Sequence, residues 1–201
     1  NKLGDSLVNP IKVRGEEEAY YYKGDSRNML NLFASETFYL GDFIFAGGLQ
    51  YSYNSKFNDI WTWGGDVSYL LNSNLRFFSS VNRSFRIPTY TDLYYEGATN
   101  IGNPDLKPEF ATTYELGSKY NDEFIAAQLA GFYRKGEDII DWVKGATDTK
   151  WRTVNYTKLN TYGVDFSIRA SLGELTPFIK SVTVNYSYVN SDTMSGGLDS
   201  Y

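Results

Sequence analysis

The sequence has no cysteine and no histidine among its 201 residues. Their absence excludes thiolate and imidazole zinc sites, Ser-His-Asp and Cys-His nucleophile systems, and any histidine proton shuttle. It also excludes a disulfide framework. No run of 18 or more apolar residues occurs, so no transmembrane helix is available. Positive charge is in deficit, 19 Lys and Arg against 24 Asp and Glu for a net charge of -5, and no basic stripe exists to neutralise nucleic-acid phosphates. The chain opens Asn1-Lys2-Leu3-Gly4, without Met and without a charged segment followed by an apolar one, so a removed leader or an excerpt from a longer chain is expected. What is abundant is aromatic: 17% of residues, 18 of them tyrosine. Mean hydropathy is -0.41, too low for a bundle of membrane helices, while the length suffices for a packed core.

Hydrophobicity alternates with period two in segment after segment, and no segment sustains period 3.6. Phe43, Phe45, Gly47, Leu49, Tyr51 and Tyr53 share one face, against Ile44, Ala46, Gly48, Gln50, Ser52 and Asn54 on the other. Trp61, Trp63, Gly65, Val67, Tyr69 and Leu71 repeat the pattern. So do segments beginning at Thr112, Ile125, Tyr162 and Val182. Two segments are less clean: 28–40, where Glu36 joins the face of Leu30, Leu32 and Phe38, and 75–85. The total is roughly eight strands of about 9–13 residues, longer than is usual in soluble proteins and suited to a tilted membrane crossing.

Connections alternate in length. Gly41-Asp42, Asn72-Ser73-Asn74 and Asn121-Asp122-Glu123 are tight turns, while 1–27, 87–109 and 137–160 read as long irregular loops. Short turns on one side with large loops on the other are the layout of an outer-membrane barrel, and aromatic residues at strand ends suit the two headgroup levels. The expected fold is all-β, an antiparallel transmembrane β-barrel. A soluble β-sandwich carbohydrate-binding module, with the Trp61 and Trp63 face buried between two sheets, is the alternative.

One segment carries a family likeness. It reads Phe85-Arg86-Ile87-Pro88, then Gly102-Asn103-Pro104-Asp105-Leu106-Lys107-Pro108-Glu109, then Tyr114-Glu115-Leu116-Gly117. This resembles the barrel of TonB-dependent outer-membrane receptors, in which Phe-Arg-Ala-Pro ends a strand, Asn-Pro-Asn/Asp-Leu-Lys-Pro-Glu follows in the loop and Tyr-Glu-Leu-Gly opens the return strand. Ile87 stands where the family has alanine. Phe132 to Trp142, Val154-Asn155-Tyr156 and Tyr162-Gly163-Val164-Asp165-Phe166 resemble the strands that follow, so the likeness covers about 28–190.

The resemblance implies a 22-stranded barrel closed around a plug domain and driven by the TonB complex, and this chain supplies about eight of those strands. It is therefore expected to be a piece cut from loop to loop: an extracellular loop over 1–27, barrel over 28–190 and a truncated extracellular loop over 191–201. The implied localisation is the bacterial outer membrane, in contact with its lipid. The implied function is uptake of a scarce bulky nutrient, an iron-siderophore or cobalamin-like cargo ahead of a glycan. Haem is disfavoured because 89–102 lacks the histidine that haem receptors carry there.

Within the motif, Pro88, Pro104 and Pro108 fix φ and withhold backbone donors, and Asn103-Pro104-Asp105 has turn chemistry. Arg86 and Glu109 flank the excursion and are expected to pair at the rim. Phe85, Arg86, Pro88, Asn103, Pro104, Leu106, Pro108 and Glu109 thus read as a rigid loop base, and Tyr90, Tyr94, Tyr95 and Asn100 as ligand-contact candidates, with flat faces and polar tips. No catalytic set, metal site or cofactor is expected: Glu16-Glu17-Glu18 reads as a solvated loop, nothing in the sequence marks Asp138 and Asp141 as catalytic carboxylates, and Gly196-Gly197 reads as loop.

Overall fold

A computed structural model describes residues 5–12, 20–173, 178–192 and 198–200. Glu16 to Glu18 and Gly196-Gly197 lie outside the described residues. In chain order the elements are β1 (Asp5–Lys12), β2 (Tyr20–Gly24), β3 (Met29–Leu40), β4 (Phe43–Asn54), β5 (Asn58–Leu70), β6 (Leu75–Arg86), α1 (Tyr90–Tyr94), β7 (Asn100–Ile101), β8 (Glu109–Asn121), β9 (Ile125–Gly145), β10 (Trp151–Ser171), β11 (Ser181–Ser191) and β12 (Leu198–Ser200). No helix of the described residues is long and apolar enough to cross a membrane.

Eight long strands form one sheet in the order β3-β4-β5-β6-β8-β9-β10-β11, each neighbour antiparallel. The sheet is not closed: β3 and β11 are its edges. Turn chemistry explains the registers. Gly41 takes φ 58°, which only a residue without Cβ adopts freely, and Asn72 and Asp122 accept backbone N–H groups from the residues two and three further on.

The alternation becomes two unlike faces. Trp61 is 61% exposed, Trp63 44% and Leu116 68%, whereas Ser52, Asn54 and Thr62 on the opposite face are buried. A second sheet covering the aromatic face is absent from the described residues, so the sandwich alternative is overturned. Glu36 does share the apolar face, on edge strand β3 and opposite Gly47.

Strand lengths depart from expectation at one place. The stretch 137–160, read from sequence as irregular, is mostly ladder: β9 and β10 run 21 residues each and pair from Arg152↔Val143 down to Ala170↔Ile125. Toward the long-loop end both faces of β9 are at least half-buried, so the apolar-polar contrast that marks a strand disappears, and Asp138 with φ 54° breaks the pattern further. The first loop likewise contains the β1–β2 hairpin, and β12 pairs with the top of β9 at Gly145.

Candidate functional site

At the long-loop end, residues 87–108 fold into a compact platform. Thr89 caps α1: its hydroxyl accepts from Asp92 N at 3.1 Å, while Asp92 Oδ2 accepts from Thr89 N at 2.8 Å. This reciprocal box satisfies two donors that a helix start leaves orphaned. Pro88 just before it is buried, and its carbonyl accepts from Arg27 Nη1 at 2.8 Å.

Arg86 and Glu109 pair as expected. Arg86 Nε and Nη2 donate to Glu109 Oε1 and Oε2 at 2.8 and 3.0 Å, and Nη1 reaches Asp92 Oδ2 at 3.2 Å. Glu109 also accepts the Ile140 amide at 2.9 Å, which ties the platform to β9. One carboxylate therefore serves a guanidinium fork and a buried backbone donor together.

The return segment is held by backbone bonds. Asn103 Oδ1 accepts from Asp105 N at 2.9 Å, and Asn103 N donates to Asp92 O at 2.9 Å. Gly102 packs so closely on α1 that a Cβ there would lie 2.8 Å from Asp92 O and 2.9 Å from Leu93 C. Leu93, Leu106 and Ile140 form a small buried core, with Phe57 and Tyr94 against it. Phe85 pairs with Phe110 in the ladder, while Pro104 and Pro108 bracket the loop that carries Leu106.

Asn155 on β10 clasps this loop, a role that sequence reasoning missed. Its Nδ2 donates to Lys107 O at 2.9 Å and to Asp138 O at 2.7 Å, and its Oδ1 accepts from Lys107 N at 2.9 Å. Thr153, fully buried two residues before, donates to Asp92 O at 2.7 Å. These partners are 17, 48 and 61 residues away in sequence, so no local signal marks them. Asp92 carried a readable one, the Thr-x-x-Asp spacing of a capping box.

The four contact candidates occupy different surroundings. Tyr90 is 41% exposed, stacks on Tyr94 at 6.3 Å and lies beneath the Arg27 guanidinium at 4.5 Å. Tyr95 is 49% exposed and meets Trp142 edge-on at 6.2 Å. Tyr94 instead donates to Asp25 Oδ2 at 2.7 Å, and Asp25 pairs with Lys56 at 2.8 Å. Burial, then the Asp25 bond, pushes the Tyr94 phenol up to about 12. Burial opposes ionisation of Asp25, but bonds from Lys56 and Tyr94 outweigh it and hold the carboxyl below its ordinary value. Asn100 lies in β7, which pairs in parallel with β10 at Trp151, and its Oδ1 accepts from the Thr99 hydroxyl at 2.6 Å.

Eight long antiparallel strands in one sheet with an apolar outer face, short turns at one end and a motif-built platform at the other agree with comparison to known proteins. The family profile described as TonB dependent receptor-like, beta-barrel, matches residues 3–200. The chain belongs to this family. Like the family's barrels it lies in the outer membrane of a Gram-negative bacterium. The vitamin B12 transporter BtuB of Photobacterium profundum is 24% identical over 181 residues, covering 89% of this chain and 28% of that protein. The chain thus spans less than a third of this relative's length. Among solved structures, the siderophore receptor PirA from Pseudomonas aeruginosa superposes with a TM-score of 0.66 at 18% identity, covering 82% of this chain and 32% of that one. The ferric enterobactin receptor PfeA of the same organism, a mutant in complex with enterobactin, gives a TM-score of 0.65 at 18% identity over 89% of this chain and 29% of that one. These structures share the TonB-dependent receptor barrel fold, and the relatives are transporters or receptors.

Proposed function

We propose that this chain is a loop-to-loop part of a TonB-dependent receptor that takes up a scarce, bulky nutrient, an iron-siderophore or a cobalamin-like compound ahead of a glycan. The observation that carries the reading is the braced platform over 87–108 in a chain whose relatives include vitamin B12 transporters and whose fold is that of siderophore receptors. Tyr90 and Tyr95, each exposed on this platform, supply the aromatic faces that bind the cargo, with Trp142 supporting Tyr95. Tyr94 and Asn100 set the platform's shape. The plug domain and the TonB complex are the proposed partners of the full-length protein, which moves cargo without chemically changing it.

The test is equilibrium binding to the full-length receptor in detergent, titrated with ferric enterobactin, cyanocobalamin and a maltooligosaccharide. One of the first two is expected to bind, and Tyr90→Ala with Tyr95→Ala to weaken it at least tenfold while the folded barrel is retained. Binding only of the sugar, or binding untouched by both substitutions, contradicts the assignment.

A further inference from the structure

Charged and polar side chains interrupt the apolar outer face on β6, β8, β9 and β10. Tyr114, Tyr133 and Tyr162 stand side by side in register, and Asn190 donates to the Tyr162 hydroxyl at 2.7 Å. Two residues nearer the long-loop end, about 7 Å along each strand, the same face carries Arg83, Thr112 and Lys135 in register. The row beyond holds Phe85, Phe110, Glu137 and Lys158. Arg83 lies over the Phe110 ring at 4.8 Å and reaches Glu137 at 3.5 Å; Lys135 reaches the other Glu137 oxygen at 3.3 Å. Lys158 is exposed, opposite Glu137.

Two cations pair with one carboxylate here and a third stands opposite it in the ladder, in a chain whose net charge is -5. Tyrosine rings with polar tips mark the headgroup level of a bilayer, so the next outward row lies among headgroups, on the leaflet that faces the long loops. Glu137 fixes the spacing of Arg83 and Lys135, and the Phe110 ring orients the guanidinium fork. Such an arrangement matches the bidentate geometry and charge of a phosphate.

We infer that Arg83, Lys135 and Lys158 form a docking site on the outer wall of the barrel for a phosphorylated lipid headgroup of the surrounding outer leaflet. The site is independent of the cargo and of the loop platform. Two cations pre-placed by one carboxylate bind an anionic headgroup with less ordering cost than free lysines do.

The experiment places the full-length receptor in phosphatidylcholine nanodiscs doped with diphosphorylated lipid A or with its dephosphorylated form, and counts bound lipid A by native mass spectrometry across a concentration series. Wild type is expected to prefer the diphosphorylated lipid. Replacing Arg83, Lys135 and Lys158 together by Gln is expected to weaken binding about fivefold per charge, on the order of a hundredfold in all. Glu137→Gln is expected to tighten it, and Arg134→Gln, on the polar face of the same strand, to leave it unchanged. Lys158→Gln alone, expected to weaken binding about fivefold, decides the matter should the triple variant not fold. Equal binding of the two lipids, triple or single variants that bind as wild type does, or occupancy by inorganic phosphate at the same concentration as by lipid would each overturn the proposal.

Discussion

Glu109→Ala removes three hydrogen bonds at once: two from Arg86 and one from the Ile140 amide. The Ile140 bond is buried, and an orphaned buried amide costs about 1–3 kcal/mol. The Arg86 side chain is 44% exposed, so solvent screens its pair with Glu109, which contributes at most about 1 kcal/mol. The expected loss is about 3 kcal/mol of local stability, confined to the platform, because the flanking ladders of β6, β8 and β9 do not depend on this side chain. Hydrogen exchange followed by mass spectrometry on the full-length receptor reads this directly. Peptides covering 88–106 and 138–142 should exchange about a hundredfold faster, since 1.36 kcal/mol is a factor of ten. Peptides within 112–120 and 127–133 should not change. Glu109→Gln keeps one acceptor oxygen and should give about half the effect in free energy. A change below threefold in the platform peptides, or an equal change throughout the sheet, would refute the assignment of Glu109 as the brace between loop and wall.

Three further outcomes are expected. Tyr94→Phe should lower the protection of peptides around 25 and 56 by about 1 kcal/mol. With Tyr94 in place, its bond to Asp25 contributes fully below pH 10.0 and is lost as pH rises through about 12, because the folded phenol is the harder one to ionise. On the acid side, the depressed Asp25 makes its contribution above pH 3.8 and loses it as pH falls below that value; ultraviolet titration of Tyr94 and exchange at the two pH extremes check both signs. Asn155→Leu deletes three bonds at about 1 kcal/mol or less each, so the 103–108 segment should become susceptible to limited proteolysis while the barrel keeps its melting temperature. Gly102→Ala drives a Cβ into the backbone of α1 and should destabilise the platform by about 1–3 kcal/mol, seen as faster exchange at Leu93 and Asn103; wild-type exchange there would show that the close approach is not required.

The wall of the barrel was legible in the sequence because one physical contrast, lipid against water, repeats every second residue from Phe43 to Asn54 and again in each crossing strand. The platform was legible only in part. Proline and Asn103 turn chemistry announced a rigid base, and Arg86 and Glu109 announced a pair by flanking it. Asn155, Thr153, Arg27 and Asp25 reach Lys107, Asp92, Pro88 and Tyr94 across 48 to 69 residues of chain, where no local pattern speaks. The upper halves of β9 and β10 were missed for a different reason. They are strands whose two faces meet similar surroundings, so alternation, the only sequence mark of a strand, had nothing to record.

Those same upper halves have a consequence for how a solute is met. A tilted strand needs only about 9–11 residues to cross the bilayer, and β9 and β10 have 21 each, so about half of each stands clear of it as a hydrogen-bonded beam. Ordering a residue costs about 1–2 kcal/mol in backbone entropy, and here that cost is met when the protein folds rather than when something lands on it. Register is constant from Tyr162↔Tyr133 up to Thr153↔Trp142, so the sheet that crosses the membrane fixes the height at which Trp142 and Thr153 stand.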